Sequence, residues 1–515
     1  MRTASRLLVA LLPLLISCDL FKRPSGTTWT EGSFPAGFLW GTATAGFQVE
    51  AGCPTIPAAE CEDRYSDWYQ FVTSAEARAD PNAHVSGQDI SAAPGFYELY
   101  AADLDRAQNE LGSSVFRMGV EWSRIFPQSA RGLRDHAAMR AVASAPGLAF
   151  YRAVLQAARD RGLKVMVTLN HYSLPLWIHD GMACRADLAG CTARGWLDDT
   201  TVDELAAFSG FVAAEYGDLV DLWATQNEPL AIVLAGYLMP SETRTNPPAV
   251  SLKFAAAKTV AANLQIAHAR QYDAVKQYDT ADADGDGVTA EVGLVYNIAP
   301  VHPARPENAG DQAAAEDTDY LYNRAFLDGV VKGDFDPELD GTADHRADMA
   351  GRMDFLGVNY YTRVVVEGTS DGMPSFPEFS DRTTFNPLAL QQGADYPRGI
   401  YEALMFAKGY GIPLMVTENG ATDPDDKGHG EDFLVQHLTW VSRAIRDGAD
   451  VRGYLWWSLM DNFEWNHGMS YRFGMFAVDD SAAKNRTPRR TAAAFKRIAT
   501  GNAVPQDLLD AHPAP

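Results

Sequence analysis

Two glutamates stand in short polar motifs, each at the end of an apolar run of the chain. Glu228 lies in TQNEP (225–229) and Glu418 lies in VTENG (416–420). A pair of carboxyl groups can cleave a glycosidic bond, because one protonates the leaving oxygen while the other attacks the sugar. Each glutamate by itself is also typical of a solvated turn before Pro or Asn-Gly. The chemistry therefore depends on whether the fold brings the two carboxyl groups face to face.

Short β-branched or aromatic runs alternate with longer stretches of helical spacing, a pattern that indicates βα units around a parallel sheet. The runs cover residues 38–50, 114–122, 164–171, 219–229, 291–298, 354–362, 413–420 and 451–461. Segments such as LAFYRAVLQAARDRG and DELAAFSGFVAAEYG lie between them, with apolar residues at three- and four-residue steps. Eight such units predict an α/β fold, namely a single (β/α)8 TIM barrel.

Nearly every run begins with apolar residues and ends in polar or aromatic ones. In a TIM barrel the C-terminal ends of the strands form the active-site face. A pattern in phase over eight runs is hard to explain by packing alone. We therefore expect one mouth of the barrel to collect Gln48, Arg117, His171, Asn227, Glu228, Asn297, Tyr361, Glu418 and Trp457.

These motifs, in this order, resemble glycoside hydrolase family 1. The resemblance rests on RMGVEWSRIFP (117–127), TLNHYSLPLWI (168–178), TQNEP, GVNYYT (357–362), VTENG and WWSLMDNFEWNHGMSYRFG (456–474), and it covers about residues 31 to 500. It implies a retaining exo-β-glycosidase that hydrolyses terminal non-reducing β-D-glycosyl residues through a covalent glycosyl-enzyme. β-Glucosidase and β-galactosidase are the favoured activities, although the motifs do not separate them from β-mannosidase or β-fucosidase.

The resemblance also implies a role for each residue of the site. Glu418 is expected to be the nucleophile, and Glu228 the general acid and then the general base. Arg117, Asn359 and Tyr361 are expected to support the nucleophile. Contacts to the sugar are implied for Gln48, His171, Asn227, Asn297, Trp457, Glu464 and Trp465. Two rival functions are a carbohydrate-binding barrel without catalysis and a transglycosylase that passes the sugar to an acceptor other than water.

Charge interactions predict how a proton would cycle between the two carboxyl groups. Arg117 beside Glu418 should lower the pKa of that carboxyl group and keep it ionised. The negative charge of Glu418 in turn favours the protonated form of Glu228, and esterification of Glu418 removes that charge. Glu228 can then serve as the base for water. The retaining mechanism needs the two carboxyl groups roughly 5–5.5 Å apart.

Two features of the motifs bear on the substrate. Many relatives have Trp-Asp after the histidine of the third strand, whereas this chain has Tyr172-Ser173, which leaves the glycone fit open. Glu464 is present where phospho-sugar enzymes of the family differ, and this favours an unphosphorylated glycone. We expect a small β-glycoside or oligosaccharide as substrate and no cofactor. The sequence does not indicate an oligomeric state.

The first thirty residues indicate export. Arg2 and Arg6 precede the run LLVALLPLLIS, which is too short to span a bilayer and is typical of a signal peptide. The run ends in LISC (15–18), which resembles a bacterial lipobox with lipid attachment at Cys18; an ordinary cleaved signal is the alternative. We expect a signal peptide (1–17), a tether (18–30), the glycosidase barrel (31–500) and a C-terminal tail (501–515). The protein would be a cell-envelope lipoprotein, membrane-bound only through its lipid.

Charge and cysteine content agree with an exported enzyme. The formal net charge of -24 argues against a surface that binds nucleic acid or anionic lipid. The four remaining cysteines allow three sets of pairs. One set joins each cysteine to its near neighbour through a short loop, and an oxidising compartment would favour both of its bonds. The candidates are Cys53 with Cys61 and Cys184 with Cys191.

One acidic segment resembles the start of an EF-hand calcium loop. Asp282, Asp284 and Asp286 alternate with small residues, but Gly293 occupies the twelfth position where such a loop needs Glu. The segment also lies between a helix candidate and the fifth strand, and not between two helices. A solvated acidic turn is favoured, calcium binding stays open, and no metal is expected in the chemistry.

Overall fold

Each of the eight predicted runs forms one strand of a closed barrel. The strands are β1 (Leu39–Ala43), β2 (Val115–Gly119), β3 (Lys164–Thr168), β4 (Leu222–Asn227), β5 (Glu291–Asn297), β6 (Phe355–Asn359), β7 (Leu414–Asn419) and β8 (Val451–Trp457). Each strand pairs in parallel with its neighbours in sequence, and β1 pairs with β8 to close the barrel. This computed structural model describes residues 29–368 and 395–515. The predicted (β/α)8 barrel is confirmed.

Helices surround the barrel between the strands. The longer ones are Phe96–Asp105, Ala145–Asp160, Thr200–Tyr216, Phe254–Tyr278, Ala309–Asp319, Arg398–Lys408, His429–Arg446 and Arg490–Gly501. Shorter α-helices are Gly46–Val49, Ala58–Cys61, Asp67–Thr73, Ala75–Ala79, Trp122–Ile125, His136–Val142, Gly181–Ala186, Pro229–Val233, Ala325–Leu327 and Gln506–Ala511. The last of these lies in the segment that we expected only as a tail.

The helix Ala145–Asp160 shows how the sequence pattern produces this outer layer. Its buried side chains recur at three- and four-residue steps and so line one face. The hydroxyl of Ser144 accepts a hydrogen bond from the backbone N–H of Gly147, which satisfies one of the free donors at the helix start. Burial of one apolar face and a capped first turn together fix the position of this helix against the strands.

Side-chain alternation along the strands separates a packed interior from the active-site mouth. Val115, Met166, Leu222, Phe355, Met415 and Leu455 form a buried cluster drawn from six strands. Residues two apart on a strand share a face, because successive side chains point to opposite sides. Arg117, Thr168 and Trp457 each follow a member of this cluster by two residues, and so lie above it inside the barrel. The apolar cluster therefore supports the polar layer of the site.

Two disulfide bonds link Cys53 to Cys61 and Cys184 to Cys191, so the local pairing is confirmed. Glu31–Pro515 forms one compact unit. Within the described residues, no helix is both long enough and apolar enough to cross a membrane. The signal peptide and the lipid attachment at Cys18 lie outside the described residues and stay predictions.

Candidate active site

Glu418 lies near the C-terminal end of β7 and is held by two donors. Arg117 Nη1 donates to Glu418 Oε1 at 2.7 Å, and the hydroxyl of Tyr361 donates to Oε2 at 2.8 Å. Arg117 is fully buried and is itself oriented by Thr168 Oγ1 at 2.9 Å and Asn227 Oδ1 at 2.8 Å. The carboxylate is therefore fixed at both oxygens, as expected for Arg117 and Tyr361.

Glu228 directly follows β4 and has a left-handed backbone, with φ 41° and ψ 58°. Such a conformation is rare for a residue with a side chain and concentrates at functional sites. Asn359 Nδ2 donates to Glu228 Oε1 at 2.8 Å, Asn297 Nδ2 donates to the same oxygen at 3.3 Å, and Tyr172 donates to Oε2 at 2.6 Å. We expected Asn359 beside Glu418, but its amide nitrogen donates to Glu228, since its Oδ1 accepts from Thr417 Oγ1 at 2.7 Å.

The pKa of Glu418 reflects two opposing influences, burial and the guanidinium of Arg117. Burial raises the pKa of Glu418 to about 7; Arg117 opposes this rise, and the charge of Glu228 adds to it. Arg117 thus lowers the pKa of Glu418 as expected, but the loss of hydration at this depth outweighs the single guanidinium and sets the net direction. The interaction with Glu228 also shows that the two carboxyl groups lie within electrostatic reach of each other.

Gln48 and Glu464 form one polar edge of the pocket. Gln48, on the short helix after β1, donates from Nε2 to Glu464 Oε2 and to Asn462 Oδ1, both at 2.9 Å. Trp457, at the end of β8, hydrogen-bonds to Glu464. Burial raises the pKa of Glu464, and Arg244 opposes this rise. The arrangement presents amide and carboxylate atoms side by side, which suits paired hydrogen bonds to neighbouring hydroxyls.

His171 and Asn227 form the opposite edge. Asn227 Oδ1 accepts from Arg117, so its Nδ2 donates to His171 Nε2 at 3.0 Å, and the imidazole hydrogen lies on Nδ1. Burial lowers the pKa of His171 well below its usual range, which keeps the ring neutral. Over the part of the chain that the structure describes, neither His171 Nδ1 nor Gln48 Oε1 has a hydrogen-bond partner. Unpaired buried polar atoms are costly, so these two suit a polar ligand.

Aromatic rings lie between these two edges. The Trp457 ring is 5.7 Å from the His171 ring, and the Trp465 ring lies at the same distance on another side. Trp465 stacks on Phe47 at 5.6 Å and is almost fully buried. Such rings can cover the apolar face of a sugar. The structure thus gathers the residues predicted for catalysis, for support of the nucleophile and for sugar contacts at one mouth of the barrel.

Two further residues at this mouth were not among the predicted site residues. Tyr172, noted only as a departure, donates to Glu228, and Arg244 lies 3.7 Å from Glu464. Tyr172 follows the predicted His171, so its place beside a strand end was the available signal. Arg244 lies in the segment SETRTNPP, which has no hydrophobic period and gave no signal.

The acidic segment after the helix Phe254–Tyr278 folds as a compact loop. Asp282, Asp284 and Asp286 place carboxylate oxygens within 4.8 Å of one another. Lys164 makes ion pairs with Asp284 and, at 3.7 Å, with Asp286. Backbone N–H groups of the loop donate to Asp282. A lysine and backbone donors thus offset part of the negative charge that a cation would neutralise.

Comparisons with known proteins agree with this geometry. The profile of glycosyl hydrolase family 1 matches residues 30–504. A β-galactosidase of Pyrococcus woesei is 34% identical over 92% of this chain and 98% of its own. A β-galactosidase of Sulfolobus acidocaldarius is 35% identical, over 92% of this chain and 97% of its own. The crystal structure of the β-glycosidase from Thermosphaera aggregans superposes with a TM-score of 0.79 at 30% identity, over 94% of this chain and all of that one.

Proposed function

This chain belongs to glycosyl hydrolase family 1 and is a retaining β-glycosidase, and we propose that Glu418 and Glu228 carry its reaction at a site that binds a terminal sugar. The observation that carries this proposal is the contrast between the two carboxyl groups. Glu418 is held by a guanidinium and a phenol, whereas Glu228 is held by neutral donors only. One is equipped to stay charged, and the other can gain and lose a proton.

The first step forms a covalent glycosyl-enzyme. A Glu418 oxygen attacks the anomeric carbon while Glu228 gives its proton to the glycosidic oxygen, so the leaving alcohol departs neutral. In the second step Glu228 takes a proton from water, which attacks the same carbon and releases Glu418. The sugar keeps its β configuration and Glu228 regains its proton, so the balance closes on hydrolysis.

The hydrogen-bond network stabilises each stage of this cycle. Arg117 and Tyr361 favour the ionised form of Glu418 in a place where burial raises its pKa. Once Glu418 is esterified its charge is lost, and Glu228 can ionise beside a neutral neighbour. Asn359 and Asn297 donate to Glu228 Oε1, which leaves Oε2 as the oxygen that carries the proton.

We propose β-glucosidase or β-galactosidase as the main activity. Several polar atoms can bind a sugar with free hydroxyls: the unpaired Gln48 Oε1 and His171 Nδ1, and the carboxylate of Glu464 beside Gln48. The close packing of these side chains favours a single terminal sugar residue. The relatives named above as β-galactosidases, and a β-glucosidase A of Thermotoga maritima that is 29% identical over 88% of this chain and 94% of its own, support this choice. Glu464 supports an unphosphorylated glycone.

Initial rates on p-nitrophenyl glycosides in both anomers test the proposal. We expect hydrolysis of β-glucoside or β-galactoside, with weaker activity on β-mannoside and β-fucoside and none on α-anomers. The configuration of the first product, followed by NMR, should be β. A folded protein that cleaves only α-glycosides, or yields the α-sugar first, would contradict the mechanism.

We also propose that the protein is exported and held to a membrane by a lipid on Cys18. The two disulfide bonds support an oxidising compartment. Radiolabelled palmitate should enter the full chain expressed in a bacterium and should be absent from Cys18→Ser. Equal labelling of both proteins, or none of either in the membrane fraction, would contradict the anchor.

A further inference from the structure

We propose that Tyr172 is a positioning residue for Glu228 and that Arg244 holds Tyr172 in place while also contacting the glycone-binding Glu464. The proposal rests on the acid/base role given to Glu228 above. Its central observation is the 2.6 Å hydrogen bond from the hydroxyl of Tyr172 to Glu228 Oε2. This is the shortest of the three side-chain hydrogen bonds described above for Glu228, and it is made to the oxygen that the two asparagines do not contact.

The position of Tyr172 is fixed by its backbone and by its ring. Its φ of 69° places it in the left-handed region, within a turn where the N–H of Ser173 donates to the carbonyl of His171 at 2.9 Å. The ring meets Trp465 edge-on at 4.9 Å. A non-glycine residue with this backbone carries strain that surrounding contacts must offset. The turn directs the phenol toward Glu228 with little freedom to move.

Arg244 covers the other face of this ring. Its guanidinium carbon lies 4.8 Å from the centre of the Tyr172 ring and 5.6 Å from the Trp465 ring, which is the geometry of a cation–π contact. Its Nη1 lies 3.7 Å from Glu464 Oε1. Arg244 therefore bridges a residue that supports the acid/base and a residue that grips the sugar.

The loop of Arg244 is tied to the segment that carries Glu464. The N–H of Thr245 donates to Asn466 Oδ1 at 3.4 Å, and His467 Nε2 bonds the carbonyl of Thr243 at 3.0 Å. Both partners follow Glu464 by two or three residues. The guanidinium thus has a fixed backbone on one side and two aromatic faces on the other, and its position does not depend on Tyr172 alone.

Tyr172 helps most when Glu228 becomes charged. Burial and the nearby charge of Glu228 raise the pKa of Tyr172 well above its usual range, so the phenol keeps its hydrogen and can donate. As Glu228 passes its proton to the leaving group, charge develops on Oε2 and the hydrogen bond from Tyr172 strengthens. An interaction that is stronger in the transition state than in the ground state accelerates the step.

The test compares kcat/KM for Tyr172→Phe and wild type on aryl β-glycosides whose leaving groups range from dinitrophenol to phenol. Dinitrophenol leaves without a proton, so we expect less than about a threefold loss there. Phenol needs the proton, and loss of a hydrogen bond to a charged group should slow it about 10- to 100-fold. The alkaline limb of the rate profile should move to higher pH, because ionised Glu228 loses a donor. Charged and titratable neighbours of Glu228 among the described residues are Glu418, Glu464, Arg244, Tyr172, Tyr296, Tyr322 and Tyr361.

A matched control shows whether the loss of any tyrosine–carboxylate hydrogen bond in the protein would have the same effect on activity. Tyr272 donates to Asp354 Oδ1 at 2.9 Å, and Asp354 lies at the start of β6, away from the mouth. Tyr272→Phe should change neither the leaving-group dependence nor the alkaline limb. If Tyr172→Phe slows every leaving group equally and leaves the limb in place, Tyr172 has only a structural role and the proposal is wrong.

Arg244 is tested by a double-mutant cycle with Arg244→Met, which keeps an unbranched side chain without the charge. If Arg244 acts through Tyr172, the double variant should lose less than the sum of the two single losses on the phenyl glycoside. Additive losses would overturn the link. Glu228→Ala in the same assay is the independent check: if it shows no leaving-group dependence, the acid/base role itself fails, whatever Tyr172→Phe does.

Discussion

Two groups of buried carboxylates follow the strands at the mouth of the barrel, and only one of them faces the sugar pocket. The first group, named here the catalytic pair after its proposed role, consists of Glu228 and Glu418 with Arg117. The second group, named here the closed cluster, consists of Glu50, Asp63 and Glu121 with Arg124 and Tyr151. Both groups hold more carboxyl groups than arginines, so both face the same cost of unbalanced buried charge.

The closed cluster offsets the cost of its unbalanced buried charge with hydrogen bonds among its own tightly packed groups. Arg124 Nε donates to Glu50 Oε2 at 2.6 Å, and Tyr151 donates to Glu50 Oε1 at 2.9 Å. Glu121 Oε1 accepts from the N–H of Phe47 at 2.9 Å. A Cβ atom on Gly46 would lie 2.7 Å from Glu121 Oε1 and 2.8 Å from Glu50 Oε1, so no space is left beside these oxygens. Glu50 and Glu121 are each only 2% exposed, so the cluster is closed to solvent there.

The comparison teaches that a raised pKa does not by itself mark a catalytic group. Burial, with the charge of Glu50, raises the pKa of Glu121 to about 8, which exceeds the value of about 7 for Glu418. Structural networks perturb carboxyl groups as strongly as active sites do. The distinguishing features of the catalytic pair are the unpaired polar atoms of Gln48 and His171 around it and the partial exposure of Glu228.

The largest expected effect comes from removing the nucleophile. Glu418→Ala should reduce turnover by roughly 10^4-fold or more, because the covalent route is lost. Azide should partly restore the reaction by occupying the vacated space and attacking the anomeric carbon, which yields an α-glycosyl azide. Product configuration by NMR checks this. The urea concentration at which the variant unfolds should be close to that of wild type. Unchanged turnover would contradict the role of Glu418.

Removing the acid/base should give a smaller and more selective loss. Glu228→Ala should slow phenyl β-glycosides by about 10^2- to 10^4-fold, which is the usual contribution of general acid catalysis. Dinitrophenyl glycosides should still form the glycosyl-enzyme rapidly, and a burst of dinitrophenol in stopped-flow measurements should reveal it. Equal losses for both leaving groups, from protein of unchanged circular dichroism, would assign the proton to another residue.

The closed cluster should show the opposite pattern when its arginine is removed. Arg124→Met leaves Glu50 and Asp63 without their cation, and breaking such a buried pair costs about 3–5 kcal/mol in the free energy of unfolding. Urea unfolding followed by tryptophan fluorescence measures this loss. The folded fraction should keep its kcat within about tenfold, since Arg124 contacts no part of the pair. A stable but inactive variant would show that the cluster belongs to the active site.

The sequence was sufficient for the barrel and for the two glutamates, because strand ends in a TIM barrel converge whatever the loops do. It was not sufficient for the partner of Asn359, since the choice between Glu418 and Glu228 depends on how the amide is turned, and Thr417 holds its Oδ1. The role of Arg244 was also out of reach, because Arg244 lies on a loop whose sequence has no periodic pattern to show that the side chain reaches the pocket.

The net direction of the pKa shift of Glu418 was out of reach for a related reason. The presence of Arg117 was visible in the sequence, but the depth of burial was not, and burial is the larger influence. The closed cluster escaped notice likewise: Glu50 ends the first apolar run and Glu121 lies in RMGVEWSRIFP, yet nothing in the sequence says that Glu50 and Asp63 share Arg124 while Glu121 lies beside them. Spacing along a chain predicts which residues share a barrel mouth, whereas the balance of charge in a buried cluster depends on which side chains meet in the folded structure.

The smallest expected effect concerns the pH dependence of stability. The pKa of Glu121 is raised from 4.5 to about 8 by folding, so the folded state binds this proton more tightly than the unfolded state. Its contribution to stability is complete below about pH 4.5, declines as the pH rises to about 8, and is lost above that pH. Glu121→Gln has no such dependence, and its amide can keep the contacts to Phe47 and Ser173.

The difference in the free energy of unfolding between Glu121→Gln and wild type should therefore be near zero at pH 5. It should grow in favour of the variant by a few kcal/mol at pH 9, since one pKa unit corresponds to about 1.4 kcal/mol. Glu316→Gln, at an exposed position on the helix Ala309–Asp319, should show a constant difference over the same range. A gap that is equally large at pH 5 would mean that Glu121 is ionised throughout, and the closed cluster would then tolerate its surplus charge without a proton, unlike the catalytic pair.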